Sequence, residues 1–421
     1  MLKILRANLA LLSDFIVVWL YVYSVVMRRR ALMKAAAALG ITTAGIGSQV
    51  LDDSIDLAAA QSDDGTPDEE QEGEEDATEE SYDVDTVVES TPENVVWGAI
   101  DPTKEPVQQV SSGSVVQIET ISHEGILEDQ PDPEEFFTNR GIPESEILED
   151  QVRVHDEVPH DGAGPHVVTG PVYIEDAEPG DVLEVEVLDI DFRVPYGTNT
   201  FRQRLGGLPS EFTWNDSEVI EFDLERGVAM LDDTTELPLD PFQGIMAVGP
   251  TLTTGRVNSV PPGPFGGNID IQGTGVGTTM YFPVFVPGAL FFTGDGHALQ
   301  GNGEVDLTAL ETSLTPTFRF TLHKNAEQMD WPIAETDEEV LVMGLDEDLD
   351  EAMEHALREA ISLLVHQKDM SPSEAYRFCS LAADFNVSQI VDINKGIHGK
   401  LPKTVFTDGF EIDPQNLGES F

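Results

Sequence analysis

Basic side chains and cysteine are what this 421-residue sequence has least of. It holds 22 lysines and arginines against 79 aspartates and glutamates, a formal net charge of −57. Binding nucleic acid needs clustered cations to displace phosphate counterions, and no basic patch exists, so that class of function is excluded. A single cysteine, Cys379, rules out an internal disulfide, so cysteine usage says nothing about compartment. No Gly-x-Ser-x-Gly nucleophile elbow occurs either.

The acidic excess is spread along the chain. From residue 94 onward there are 60 acidic and 16 basic residues, and only six of the sixteen are lysines. Such a surface repels itself at low ionic strength, and molar salt, with a Debye length of about 3 Å, removes most of that penalty. Adaptation to high salt follows. An acidic partner-binding surface fits less well, because the excess is not localised. Hydrophobic residues at 40% are enough for a sizeable core.

Two signals stand in series at the N-terminus. Leu9 to Val26 is apolar, of membrane length, and broken only by Asp14. Arg28-Arg29-Arg30-Ala31-Leu32-Met33-Lys34 and the Ala/Gly-rich stretch after it resemble a twin-arginine export signal, with Ala58-Ala59-Ala60 as a cleavage site before Gln61. Either Met27 is the true start, or residues 9–26 attach the protein to a membrane. The expected location is outside the cytoplasm in both cases. Residues 1–60 are thus an export or anchor region, and 61–92 an acidic, disordered linker.

Short β-type runs punctuated by Gly and Pro fill residues 93–340, among them Val95–Ile100, Ser114–Thr120, Val182–Ile190, Thr279–Val286 and Thr317–Leu322. Alternation in Val182–Ile190 predicts one buried and one wet face. Residues 341–421 differ. Leu349, Met353, Ala356, Leu357, Ala360, Ile361 and Leu364 repeat at helical spacing, and Ser371-Pro372-Ser373-Glu374 is a capping box that opens a second helix. A short strand is expected at Ser388–Val391. The predicted fold is mainly β, a β-sandwich-like body with a small C-terminal α/β lobe packed on it.

Several segments, dispersed and in order over about residues 95–406, resemble the acetamidase/formamidase family. They include Gly164-Pro165-His166-Val167-Val168-Thr169-Gly170-Pro171, Gly266-Gly267-Asn268-Ile269-Asp270, and Gly294-Asp295-Gly296-His297-Ala298-Leu299-Gln300-Gly301-Asn302-Gly303-Glu304 closed by Ala309-Leu310-Glu311-Thr312. The resemblance implies a β-rich fold, hydrolysis of formamide, acetamide or a related simple amide, and a divalent metal, zinc before calcium. Phe265 replaces a histidine frequent before Gly-Gly-Asn in the family, and Asn302 stands where Asp is usual. Both put the substrate in question more than the reaction. With the charge and the export signal, the expected member is haloarchaeal, exported and homo-oligomeric, acting on a small amide.

Cleaving an amide needs a nucleophile, a group to stabilise the oxyanion and an acid for the leaving amine, and a metal can supply the first two. Asp295 and His297 are two apart, so on a strand they share a face and suit a metal. Asn268 and Asp270 repeat that spacing in a second Gly-rich turn, and His166 lies at a strand entrance. His166, Asp270, Asp295 and His297 are the expected ligands, Asn268 a substrate contact, and Glu304 the proton carrier. Glu311 lies seven residues after Glu304, so on one continuous strand the two face opposite sides and only one should reach the site unless a bulge intervenes. His155 and His160 read as solvated, and His123, at a strand end, is open to a role at a pocket rim. Cys379 shares a helix face with Ala375, Phe378, Ala382 and Ala383 and reads as core, against a thiol mechanism. Two other functions stay open: a secreted, non-enzymatic β-sandwich binding protein, and a cyclic-amide (lactam) hydrolase.

Overall fold

The computed structural model describes residues 82–326 and 329–418. The export signal, the membrane-length segment and most of the acidic linker lie outside the described residues. The end of that expected linker is ordered: Thr86–Val88 pairs in parallel with Val116, Gln117 and Ile118. Its β-branched run covers an otherwise open strand edge, and Val88 is buried.

The fold is mainly β, as the sequence predicts. In one nine-stranded sheet the order is Thr86–Val88, Val115–Ile118, Leu314–His323, Val182–Phe192, Thr279–Pro283, Ile333–Glu335, Glu339–Asp346, Lys395–Pro402, Asp384–Gln389. A second sheet of eleven strands is centred on Phe291–His297, which pairs with Val167–Ile174, Phe242–Ala247 and Glu311–Thr312. The main core lies between them, with Val185, Phe318 and Phe320 from the first meeting Val172, Met246 and Phe291 from the second.

The alternation expected in Val182–Ile190 is real but changes phase. Leu183, Val185 and Val187 point inward, then Leu188 is inserted as a bulge opposite Thr317/Phe318, and Ile190 instead of Asp189 turns in. The first sheet runs on without a break past residue 340, which lies within Glu339–Asp346. On its C-terminal strands pack two helices, α1 (Leu349–Lys368) and α2 (Pro372–Ala382). Helix α1 starts at Asp348, whose side chain accepts from the Asp350 N–H. Helix α2 carries the expected capping box: Glu374 N–H donates to Ser371 Oγ, and Ser371 N–H to Glu374 Oε2 at 2.9 Å. Gly344 has no room for a Cβ beneath Ala352 and Ala356, which lets α1 lie directly on its strand. The expected strand at Ser388–Val391 occurs earlier, at Asp384–Gln389, and Val391 falls in the turn after it.

Candidate active site

Phe291–His297 is buried along its whole length. Glycine is required at 296, where a Cβ would come within 2.7 Å of Thr312 O, so the short Glu311–Thr312 strand can close on it. Asp295 stands in the left-handed region at φ 58°. It therefore reaches the same centre as His297 through a local twist, and not by the regular pleat that two-residue spacing suggests.

Asp295 is the hub. Its carboxylate oxygens lie 3.3 Å from His123 Nδ1, 3.7 Å from His166 Nε2 and 3.3 Å from His297 Nε2. His297 Nε2 is also 3.4 Å from Glu311 Oε1 and 3.9 Å from Asp270 Oδ1. Glu304 joins Asp270 and His297, with one ligating atom of each within 4.8 Å of the others. Gly244 is the floor of this cluster. A Cβ there would sit 2.6 Å from Asp270 Oδ1 and 2.7 Å from Asp295 Oδ2.

All six expected residues are thus brought together. Asn268 donates to Asp392 Oδ2 at 3.1 Å and lines the same cavity. Three expectations need correction. Glu311 and Glu304 both reach the site, because the chain between them turns, with Glu304 and Leu307 at positive φ, and is no continuous strand. His123 is within the cluster itself, not at its rim. His160 is not solvated: it stacks on Trp97 at 4.7 Å, contacts Gly164 O at 2.7 Å and lines the cavity.

The imidazoles are oriented from behind. His297 Nδ1 meets Gln300 Oε1 at 3.0 Å and His166 Nδ1 meets Ser259 Oγ at 3.0 Å, which leaves each Nε2 facing the centre. The buried carboxylate Glu124, held by Arg202 and Thr200, lies 3.5 Å behind His123 Nε2. Gln300 belongs to the Gly294–Glu304 segment, but Glu124 stands in no motif, and only proximity in the fold reveals it.

Inside the cluster, hydrogen bonding fails. Both Asp270 oxygens, Asp295 Oδ1, His297 Nε2, His123 Nδ1, Glu304 Oε2 and Glu311 Oε2 are buried without a hydrogen-bond partner. Leaving so many polar atoms unpaired is costly unless something else satisfies them. Three overlapping groups, His123 with His166 and Asp295, Asp270 with His297 and Glu304, and Asp295 with His297 and Glu311, each bring their ligating atoms within 4.8 Å of one another, and imidazole with carboxylate is a donor set that fits a divalent transition metal. Burial pushes the Asp270, Glu304 and Glu311 carboxyls well above their usual range, and neighbouring carboxylates add to it. Burial acts on Asp295 in the same direction, but His166 and His297 outweigh it and hold Asp295 well below. Burial also depresses His166 to about 4, which leaves its imidazole neutral near pH 7, the form a metal would need.

A cavity of about 470 Å³ opens from this cluster. Cys379 is elsewhere, 3% exposed among Val340, Leu364 and Leu401, and burial pushes its thiol up to about 11.

A family model described as the Acetamidase/Formamidase family matches residues 145–256 and 252–408. Among curated proteins, a formamidase of Methylophilus methylotrophus is 26% identical over 193 residues, 33% of this chain and 47% of that protein. An acetamidase of Mycolicibacterium smegmatis is 28% identical over 206 residues, 34% of this chain and 49% of that protein. The chain spans about half the length of the curated relatives it matches. Among solved structures, an acetamidase from Bacillus halodurans superposes with a TM-score of 0.63 at 29% identity, over 76% of this chain and 99% of that one. A recombinant predicted acetamidase/formamidase from Thermoanaerobacter tengcongensis gives 0.64 at 26% identity, over 76% and 96%.

Proposed function

The chain belongs to the acetamidase/formamidase family, and from that premise we propose that it hydrolyses the C–N bond of a small linear amide with the help of a divalent metal, releasing ammonia. The observation that carries this reading is the buried cluster of unpaired imidazole and carboxylate atoms at the base of a cavity.

His166, Asp295, His297 and Asp270 would hold the metal, joined by His123 and Glu311. Imidazole nitrogens favour zinc over calcium, which prefers an all-oxygen shell. When bound, such an ion supplies Lewis acidity and lowers the pKa of water. The protein's own groups do the rest. Asn268 lines the cavity and its Oδ1 has no partner, so it is the candidate to accept from the amide N–H₂. Burial, with Asp270 and Asp392 nearby, pushes the Glu304 carboxyl above its usual range, which suits it to carry a proton to the leaving nitrogen. As the C–N bond breaks, that proton passes to the nitrogen and ammonia leaves; the water whose oxygen stays on the acyl carbon gives up one proton, which restores Glu304.

Ammonia release from a panel of simple amides in molar salt, with and without chelator, tests this. Release that the chelator abolishes is expected. Bound metal with no ammonia from any amide would favour a binding protein, and release from lactams alone the cyclic-amide reading. Cys379→Ala should keep its turnover and lose about 1 kcal/mol of stability from a slightly emptied core, read by urea unfolding and rate.

The charge of the chain and its N-terminal signal support a haloarchaeal protein that works outside the cytoplasm. Stability and activity should therefore fall together between about 1 M and about 0.1 M KCl, as the Debye length grows from about 3 Å to about 10 Å. Circular dichroism and ammonia release across that range check it, and equal behaviour at both ends removes the halophilic reading.

A further inference from the structure

The cavity is larger and more apolar than a simple amide needs. Its volume of about 470 Å³ falls among pockets of roughly 300–1,000 Å³ that enclose ligands of many atoms. An amide of three or four heavy atoms fills only a few water volumes, each on the order of 30 Å³.

The spare room is walled by Leu127, Leu205, Leu307, Val391 and Ile393. Leu205 and Ile393 are 54% and 53% exposed, large apolar side chains left in water beside the opening. The backbone under two of these residues is strained. Leu307 has φ 121° and Ile393 φ 66°, conformations that branched side chains resist and glycine would relieve. Four segments distant in sequence therefore converge to place apolar groups around the cavity: the loop after Val115–Ile118, the loop after Tyr196–Phe201, the turn before Glu311, and the turn between Asp384–Gln389 and Lys395–Pro402.

Charge restricts what can enter. Glu128 and Asp129 also line the opening. Arg202, the guanidinium on this wall, is already engaged by Glu124 at 2.8 Å and Asp129 at 3.0 Å. An anionic arm would meet two carboxylates and a cation whose charge is already neutralised.

We propose that this mouth receives an apolar acyl chain, so that the preferred substrate is an uncharged primary amide with several carbons beyond the carbonyl, in place of formamide or acetamide. The proposal rests on the hydrolytic reading above and specifies its substrate. In the reaction the water oxygen bonds to the acyl carbon, the C–N bond breaks, and one water proton leaves with the nitrogen as ammonia. The apolar chain becomes that of the product acid.

The test is kcat/KM for ammonia release by the metal-loaded protein in molar salt, over the straight-chain series from formamide to hexanamide. Succinamate serves as an anionic probe. Transfer of each methylene into the mouth should raise kcat/KM about fourfold, the equivalent of about 0.8 kcal/mol, and succinamate should fall far below butyramide. Leu205→Ser, at an exposed position that does not endanger folding, should flatten the slope. A flat or falling series with the short amides cleaved overturns the proposal and leaves amide hydrolysis standing. If no amide releases ammonia, the hydrolytic reading is what fails, and calorimetry of hexanamide against acetamide decides the mouth by itself: equal affinity overturns it.

Discussion

His297→Ala is expected to remove bound metal and turnover together. Its Nε2 stands between Asp295, Glu311 and Asp270 without a hydrogen bond of its own, and a methyl group offers no lone pair in its place. Losing a partner behind a ligand already costs roughly 10–100-fold in metal affinity, so losing the ligand should cost more. The variant also leaves three carboxylates facing one another, so circular dichroism must first show that it folds. Metal analysis beside ammonia release then decides. A folded His297→Ala protein that keeps metal and rate, together with an inactive Cys379→Ala, would put the reaction on a thiol.

Glu304→Gln should separate what His297→Ala joins. The amide matches the carboxyl in shape and can fill the same buried place, but it has no proton to give. Metal content and fold should stay, and turnover should fall by about 10²–10⁴-fold, the range for a lost general acid. The wild-type rate should decline as pH rises through the Glu304 pKa, which burial places above the usual carboxylate range. A cation bound beside Asp270 pulls that pKa back down, and the limb marks where it comes to rest. In the glutamine variant this limb should vanish. If metal disappears instead, Glu304 is a ligand, and the proton carrier must be sought at Asp392, whose carboxyl burial pushes to about 7.

Five strand segments, the two C-terminal helices and the capping box of the second were legible because each rests on local periodicity or a local hydrogen bond. Ser371 and Glu374 need only each other to make a capping box. Asp295 and His297 were legible too, through a dense run of glycines around two side chains of the kind that can ligate a metal. What surrounds them was not. His123 and Glu311 reach the cluster from segments nearly two hundred positions apart, and the turn that lets Glu311 join Glu304 depends on positive φ at Glu304 and Leu307, which neither residue type announces. Gly244 looks in sequence like any strand glycine. Only the packed structure shows that two carboxylates and an imidazole occupy the space of its missing side chain.

The cavity takes its walls from residues as far apart as His123 and Ile393. A ribosome adding roughly 5–20 residues per second needs roughly 20–80 s to reach the last of them. Until Asp392 has emerged, the Asn268 side chain lacks its acceptor and the opening lacks a wall. The strand Lys395–Pro402, which docks on Glu339–Asp346 and holds that turn in place, arrives later still. The substrate cavity is thus among the last parts of the molecule to be finished. A product of interrupted synthesis would carry every proposed metal ligand and most of the sandwich, but no complete substrate cavity.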